Sequence, residues 1–127
     1  MLAALETIQL VKTYDNVAVV DHLDIMINKG ELVGLLGPNG AGKSTTIRML
    51  CTILAPDGGR ASVLGHDVQE EKMAVRGVIG VAPQEHAVYE ALNARENVEF
   101  IAAMHGMPDS AYEPSFWTSS GLKLLRW

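Results

Sequence analysis

The run Gly37-Pro38-Asn39-Gly40-Ala41-Gly42-Lys43-Ser44 contains the residues whose types and spacing could do chemistry. It fits the pattern G-x-x-x-x-G-K-[ST], in which a glycine-rich loop surrounds the phosphates of a nucleotide. Glycines let backbone N–H groups turn inward and approach phosphate oxygens closely. A helix that starts at the loop adds unpaired N–H groups and the positive end of its dipole. We predict that Lys43 contacts the β- and γ-phosphates and that the Ser44 hydroxyl binds Mg²⁺.

The alternative interpretation is a glycine-rich turn that happens to precede a lysine. From average residue frequencies, the probability that a chain of this length contains the pattern by chance is on the order of one per cent or below. The context also favours the functional interpretation, because the motif requires a strand before the loop and a helix after it. An apolar run precedes the loop, and apolar residues at helical spacing follow it. The sequence therefore predicts a nucleotide site formed by residues 37–44.

Segments rich in Val, Ile and Leu, separated by turn residues, predict the strands that position this loop. They cover residues 5–11, 17–27, 31–36, 60–64 and 78–82. The run at 31–36 leads directly into the loop and is expected to be a buried strand. Asp57, Gly58 and Gly59 are predicted to form a turn.

Three helices are predicted between and after these strands. The first begins at Lys43 and stops before Pro56, and a short second one lies near residues 68–76. Asn93 and Glu96 have the spacing of a capping box, which opens a third helix that runs to about His105. Strands that alternate with helices indicate an α/β protein.

Composition narrows the class of protein further. The chain has 127 residues, the size of one domain or a large piece of one, and a net charge of −5 without a basic run. We therefore expect no nucleic-acid partner. The single cysteine, Cys51, fits a reducing compartment. With no signal peptide and no apolar stretch long enough to cross a bilayer, the sequence predicts a cytoplasmic protein.

The longer string from Leu35 to Thr46 resembles the loop of ABC-type ATPases. Three flanking strings are also similar to that family: Lys29-Gly30-Glu31-Leu32, Val78-Ile79-Gly80-Val81-Ala82-Pro83-Gln84 and Leu92-Asn93-Ala94-Arg95-Glu96-Asn97-Val98. The resemblance covers about residues 4–108 and is to the ATP-binding subunit of an ABC transporter, most similar to exporter-type subunits.

The resemblance implies a fold, ligands and partners. The implied fold is a P-loop NTPase core with an antiparallel β subdomain, incomplete at the C-terminus. The implied ligands are ATP and Mg²⁺. The implied partners are a transmembrane transporter subunit and a second ATP-binding subunit, which would place the chain at the inner face of the membrane.

Three further site residues follow from the resemblance. Tyr14 matches the aromatic residue whose ring stacks on adenine, and its alternative role is that of an ordinary tyrosine at a strand end. Gln84 matches the glutamine that approaches Mg²⁺ and the attacking water, and its alternative is a polar loop residue. Thr45 matches a position near the α-phosphate, with packing at the helix N-terminus as the alternative.

The family's later parts have no match in the chain: the Leu-Ser-Gly-Gly-Gln signature, the strand ending in Asp-Glu and the switch histidine. The resemblance therefore predicts ATP binding by a truncated subunit without efficient hydrolysis, since phosphoryl transfer depends on positioned charges. Two other functions stay open, a small P-loop kinase and a non-catalytic nucleotide-binding module.

Residues 1–111 are assigned to the nucleotide-binding domain and residues 112–127 to an aberrant tail. Reading one base back across Phe116 and Trp117 always encodes Leu, and across Trp117 and Thr118 always encodes Asp. The restored pattern has the apolar spacing of an amphipathic helix, so a frameshift is predicted. The alternative is that the tail is genuine.

Overall fold

The computed structural model describes residues 3–82, 85 and 88–107. The chain divides into two compact units, Met1–Val81 and Ala82–Trp127. The described elements are β1 (Ala3–Tyr14), β2 (Val17–Asn28), α1 (Lys43–Leu50), β3 (Gly58–Val63), β4 (His66–Asp67), α2 (Lys72–Val78) and α3 (Ala94–Met104). Of these described elements, α3 alone belongs to the second unit.

A long antiparallel hairpin of β1 and β2 forms the base of the first unit. Tyr14 pairs with Val17 across a two-residue turn. The turn residues Asp15 and Asn16 both have positive φ, 48° and 62°. Two consecutive positive φ values match the right-handed twist of the flanking strands, and Asp and Asn tolerate them well. The strands predicted at 5–11 and 17–27 are confirmed, and both are longer than predicted.

The sheet has the order β2-β1-β3-β4 and is antiparallel throughout. The strand predicted at 60–64 is β3, which begins earlier, so the prediction of a turn at Gly58 and Gly59 was wrong. Gly59 has φ 70° and passes so close to β1 that a Cβ there would overlap the carbonyl oxygen of Gln9. Gln9 itself has φ 50° and lies in an irregular part of β1. Glycine is therefore required where β3 passes this bulge.

Two other predicted strands were wrong. Residues 31–36 form no strand, and Leu32 and Leu36 are 100% and 96% exposed. Val78 is the last residue of α2, and residues 79–82 lie outside the sheet. A buried parallel strand needs a neighbouring strand to pair with and cover on both faces. In the described part of the chain, no strand pairs with either segment.

The second helix begins later than predicted, at Lys72 rather than near residue 68. The carboxylate of Asp67 accepts hydrogen bonds from the N–H groups of Gln69 and Glu70, at 2.7 and 3.1 Å. Such local bonds between a side chain and the backbone favour a turn over a helix. The first helix begins at Lys43 as predicted.

The core of the first unit lies between the sheet and its two helices. Its buried residues are Leu10, Val20, Met49, Ala61, Val63, Val68 and Val75. Burial of each large side chain contributes about 1.5–3 kcal/mol. Because Met49 comes from α1 and Val75 from α2, the core fixes both helices against the strands.

In the second unit, the predicted capping box of α3 is confirmed. The Asn93 side chain accepts from the N–H of Glu96 at 3.0 Å, and the Glu96 carboxylate accepts from the N–H of Asn93 at 2.8 Å. The helix ends at Met104 with His105 as its C-cap residue, within one residue of the predicted end. Buried Asn97 holds the preceding turn. Its amide nitrogen donates to the carbonyls of Tyr89 and Leu92, and its oxygen accepts from the N–H of Tyr89.

We predict that Asn97→Ala lowers the free energy of unfolding by about 1–3 kcal/mol, because it leaves these backbone groups without their partner. Urea denaturation followed by circular dichroism measures the change. Glu99→Ala is the control, since its pair with Arg95 is exposed and contributes only a few tenths of a kcal/mol. Equal losses in the two variants would contradict the proposed role of Asn97.

Candidate functional site

The loop of residues 37–42 leads into the first turn of α1. Gly40 and Gly42 have φ values of 85° and 88°, in the left-handed region that glycine adopts without strain. Gly42 is the N-cap residue, and no side chain caps the helix there. The first N–H groups of α1 are therefore available to an anion, and the helix dipole adds positive potential.

The end of the loop is held tightly against β2. A Cβ on Gly42 would lie 2.5 Å from the carbonyl oxygen of Val19 and 3.2 Å from Cγ2 of Val20. Gly40 differs, because nothing lies within 4 Å of its Cβ position. Gly42, the final glycine of the motif, is thus needed because the loop comes close to β2. Gly40 is needed only for its positive φ.

The Lys43 side chain folds back over the loop. Its ammonium donates hydrogen bonds to the carbonyl oxygens of Gly37 and Pro38, the second at 3.1 Å. The N–H of Ala41 also donates to the Pro38 carbonyl, at 3.2 Å. The structure therefore places the ammonium directly beside the loop backbone, and the predicted contact of Lys43 with phosphates stays a prediction.

Three hydroxyl residues follow Lys43, and their surroundings differ. Ser44 is exposed and Thr45 is half-buried. Thr46 is buried, and its hydroxyl donates to the Gly42 carbonyl at 2.8 Å. Thr46 was missed as a site residue in the sequence analysis. A Thr four residues after the N-cap can bond back to that carbonyl, so its position in the Ser-Thr-Thr run was the available signal.

Tyr14 lies at the end of β1, with 44% of its surface exposed. Tyr14 pairs with Val17 of β2. Val20, three residues further along β2, packs against Gly42. Three residues of strand span about 10 Å. The hairpin thus brings the predicted adenine-stacking ring to the same end of β2 as the loop.

An ion pair missed in the sequence analysis lies beside this ring. The Lys12 ammonium is 3.1 Å from the Asp57 carboxylate and 5.6 Å from the centroid of the Tyr14 ring. The N–H of Thr13 donates to Asp57 at 2.8 Å. The hydrogen bond from the Thr13 N–H lowers the pKa of Asp57 below its usual value, and the weaker effect of the hydrogen bond from Lys12 acts in the same direction. The carboxylate is therefore ionised at neutral pH.

Other predicted features fall outside this geometry. Gln84 and the tail of residues 112–127 lie outside the described residues. Among the residues that are described, no group of three His, Cys, Asp or Glu side chains could hold a metal ion. In that same part of the chain, no helix is long and apolar enough to cross a bilayer.

Comparison with known proteins identifies the family. Residues 20–123 match the sequence model of the family described as ABC transporter, and this span contains the whole loop and α1. The chain belongs to the ABC transporter family. The resemblance stated from the motifs is thereby confirmed.

Individual ABC transporter proteins agree with this assignment. The chain is 50% identical over 103 residues to the daunorubicin/doxorubicin resistance ATP-binding protein DrrA of Streptomyces peucetius. The aligned region covers 81% of the chain and 31% of that protein. The chain is 39% identical to the probable multidrug ABC transporter ATP-binding protein YbhF of Escherichia coli, over 81% of the chain and 18% of that protein. The chain therefore spans a third or less of these two relatives.

The solved structure of an ATP-binding subunit of an ABC transporter matches 91% of the chain and 49% of its own length. Its TM-score is 0.77 at 29% sequence identity. The predicted fold class, a P-loop ABC ATPase fold with an antiparallel β subdomain, is confirmed.

The close approach of Gly42 to β2 yields a prediction for the stability of the loop of residues 37–42. Gly42→Ala and Gly40→Ala both introduce a Cβ at positive φ, which costs on the order of 1 kcal/mol. Only Gly42→Ala also meets β2, so we expect it to lower the free energy of unfolding by at least about 1 kcal/mol more. Urea denaturation of the two variants provides the comparison. Equal destabilisation would show that the contact with Val19 relaxes without cost.

Proposed function

We propose that this chain binds ATP with Mg²⁺ through residues 37–44, as the ATP-binding part of an ABC transporter of the exporter type. The observation that carries the proposal is the loop geometry. An uncapped helix N-terminus, two left-handed glycines and the Lys43 ammonium meet within one short segment. The helix N-terminus and the ammonium attract the phosphates of a nucleotide, and the glycines let backbone N–H groups approach them.

The start of α1 and Lys43 have separate proposed roles in binding the phosphates. The N–H groups at the start of α1 bind phosphate oxygens. Lys43 exchanges its bonds to the Gly37 and Pro38 carbonyls for bonds to the β- and γ-phosphates. A charged ligand makes this exchange favourable, because a hydrogen bond between two charged groups is stronger than one to a neutral carbonyl.

The residues present fit a magnesium ion bound together with a nucleotide. The exposed Ser44 hydroxyl supplies one oxygen ligand, and Mg²⁺ commonly takes one or two protein oxygens with substrate phosphates and water as the rest. When bound, the ion neutralises charge on the phosphates. We also propose that Gln84 approaches the ion together with Ser44 and that Thr45 lies near the α-phosphate.

Tyr14 is proposed to stack its ring on adenine. Its partly exposed ring lies at the end of β2 that packs against the loop, which supports this role. Stacking needs only the face of an aromatic ring, so it holds a base without reading its edges.

The wider function also belongs to the proposal. The names of the relatives, drug resistance and multidrug transport, support an exporter of small molecules. We propose a transmembrane subunit and a second ATP-binding subunit as partners, and a location at the cytoplasmic face of the membrane. No described feature favours the alternative of a small kinase.

We predict that Lys43→Ala weakens ATP binding by roughly tenfold to a hundredfold, the range expected for losing a charge-assisted contact. Isothermal titration with Mg-ATP measures the affinity, and circular dichroism checks folding. Arg48→Ala is the matched control, because Arg48 is an exposed cation on the same helix, near its other end. If Lys43→Ala binds ATP as tightly as the wild type, the proposed site is wrong.

For Tyr14, we predict that Tyr14→Ala weakens ATP binding by about fivefold to 150-fold, whereas Tyr14→Trp changes it little, because an indole also stacks. The same titration with GTP should give nearly the same affinity as ATP. Normal ATP affinity in Tyr14→Ala would mean that the ring is only structural.

A further inference from the structure

We propose that Lys12 is a positioning residue for the nucleotide base: it covers one face of the Tyr14 ring and holds the other face ready for adenine. This inference rests on the proposed function of Tyr14 and names a residue that the sequence motifs did not single out. The geometry around the ring carries the argument.

The contact between Lys12 and Tyr14 joins a half-buried lysine side chain to an exposed ring. The Lys12 ammonium lies 5.6 Å from the ring centroid, within the range of a cation–π attraction. The two residues are two positions apart in β1, so their side chains project to the same face. The Lys12 side chain is only 12% exposed, whereas Tyr14 is 44% exposed. One face of the ring is thus covered from the protein side.

Lys12 is itself held by residues from a distant part of the chain. Its ammonium donates to the Ala55 carbonyl at 2.9 Å and to the Asp57 carboxylate at 3.1 Å. The carboxylate is fixed in turn by the N–H of Thr13 at 2.8 Å, and the N–H of Asp57 donates to the Val11 carbonyl at 2.8 Å. The position of the ammonium is therefore set by both backbone and side-chain bonds.

The anchoring segment connects the ring to the phosphate loop. Residues 55–57 follow α1, whose N-terminus ends the loop. A shift of this segment would move Asp57 and Lys12, and with them the ring. The same bonds therefore set the ring's position relative to the helix that binds phosphate.

A ring held in this way loses less conformational freedom when a base stacks on it. Lys12 should consequently strengthen binding of the base part of ATP and leave binding of the phosphates unchanged. We expect Lys12→Met to weaken ATP binding by about twofold to tenfold, the size of an exposed cation–π contact plus the ordering of one side chain.

The experiment compares two ligands, Mg-ATP and Mg-bound inorganic triphosphate, by isothermal titration. Lys12→Met should weaken ATP binding and leave triphosphate binding as in the wild type. Lys12→Arg should keep ATP binding, because a guanidinium also lies well over aromatic rings and bonds carboxylates. Lys72→Met removes an exposed lysine of α2 and is the control for net charge.

A second comparison separates the role of Lys12 from a general structural one. In a Tyr14→Ala background, Lys12→Met should have no further effect on ATP binding, because the ring it positions is gone. If Lys12→Met fails to fold, Asp57→Asn replaces it, since a neutral amide holds the ammonium less firmly. Asp57→Asn should also weaken ATP and not triphosphate.

The possible failures can be told apart. Should Tyr14→Ala weaken ATP binding while both Lys12→Met and Asp57→Asn do not, the role of Lys12 is overturned and the proposed function stands. Equal loss of ATP and triphosphate in Lys12→Met would overturn it too, because the charge would then act on the phosphates. If Tyr14→Ala has no effect, the stacking role of Tyr14 fails, and the inference about Lys12 fails with it.

Discussion

The close approach of Gly42 to β2 is the contact on which the geometry of the loop depends. A Cβ at this position would lie 2.5 Å from the Val19 carbonyl, so only glycine lets the helix start this near the strand. Val20, at the same contact, belongs to the core that holds Met49 of α1. The position of the loop is therefore set at its last residue, because Gly42 packs against Val20 of the buried core.

This attachment determines how charge is presented at the loop. Because Met49 fixes α1 in the core beside Val20, the helix N-terminus keeps one direction. A dipole that does not have to reorient binds an anion at a lower entropic cost. Lys43 adds a mobile charge to this fixed one, and its present bonds to two loop carbonyls keep it close by.

The same hairpin relates two chemically different contacts. The proposed phosphate contacts use backbone N–H groups and a cation, whereas the proposed contact between the base and Tyr14 uses an aromatic face. Both depend on β2, which packs against Gly42 at Val19 and Val20 and pairs with Tyr14 at Val17. The ion pair of Lys12 and Asp57 adds a second connection, from β1 to the segment after α1.

The sequence by itself determined the features that depend on nearby residues. The loop motif, the start of α1 at Lys43 and the capping box of Asn93 and Glu96 each involve only a few consecutive residues, so residue type and spacing were enough to predict them. The strands at 5–11 and 17–27 were predicted from their content of Val, Ile and Leu, whereas their antiparallel pairing across Asp15 and Asn16 was seen only in the structure.

Only the tertiary structure decided the features that join distant residues. Lys12 meets Ala55 and Asp57 across 43 and 45 positions, a pairing that no local pattern encodes. The requirement for glycine at position 59 comes from a bulge in a neighbouring strand. The apolar run at 31–36 has the composition of a buried strand, yet it is exposed in the structure. The apolar composition of a segment shows that burying it is favourable in free energy. Whether it is buried depends on the strands that pair with it and the elements that cover it.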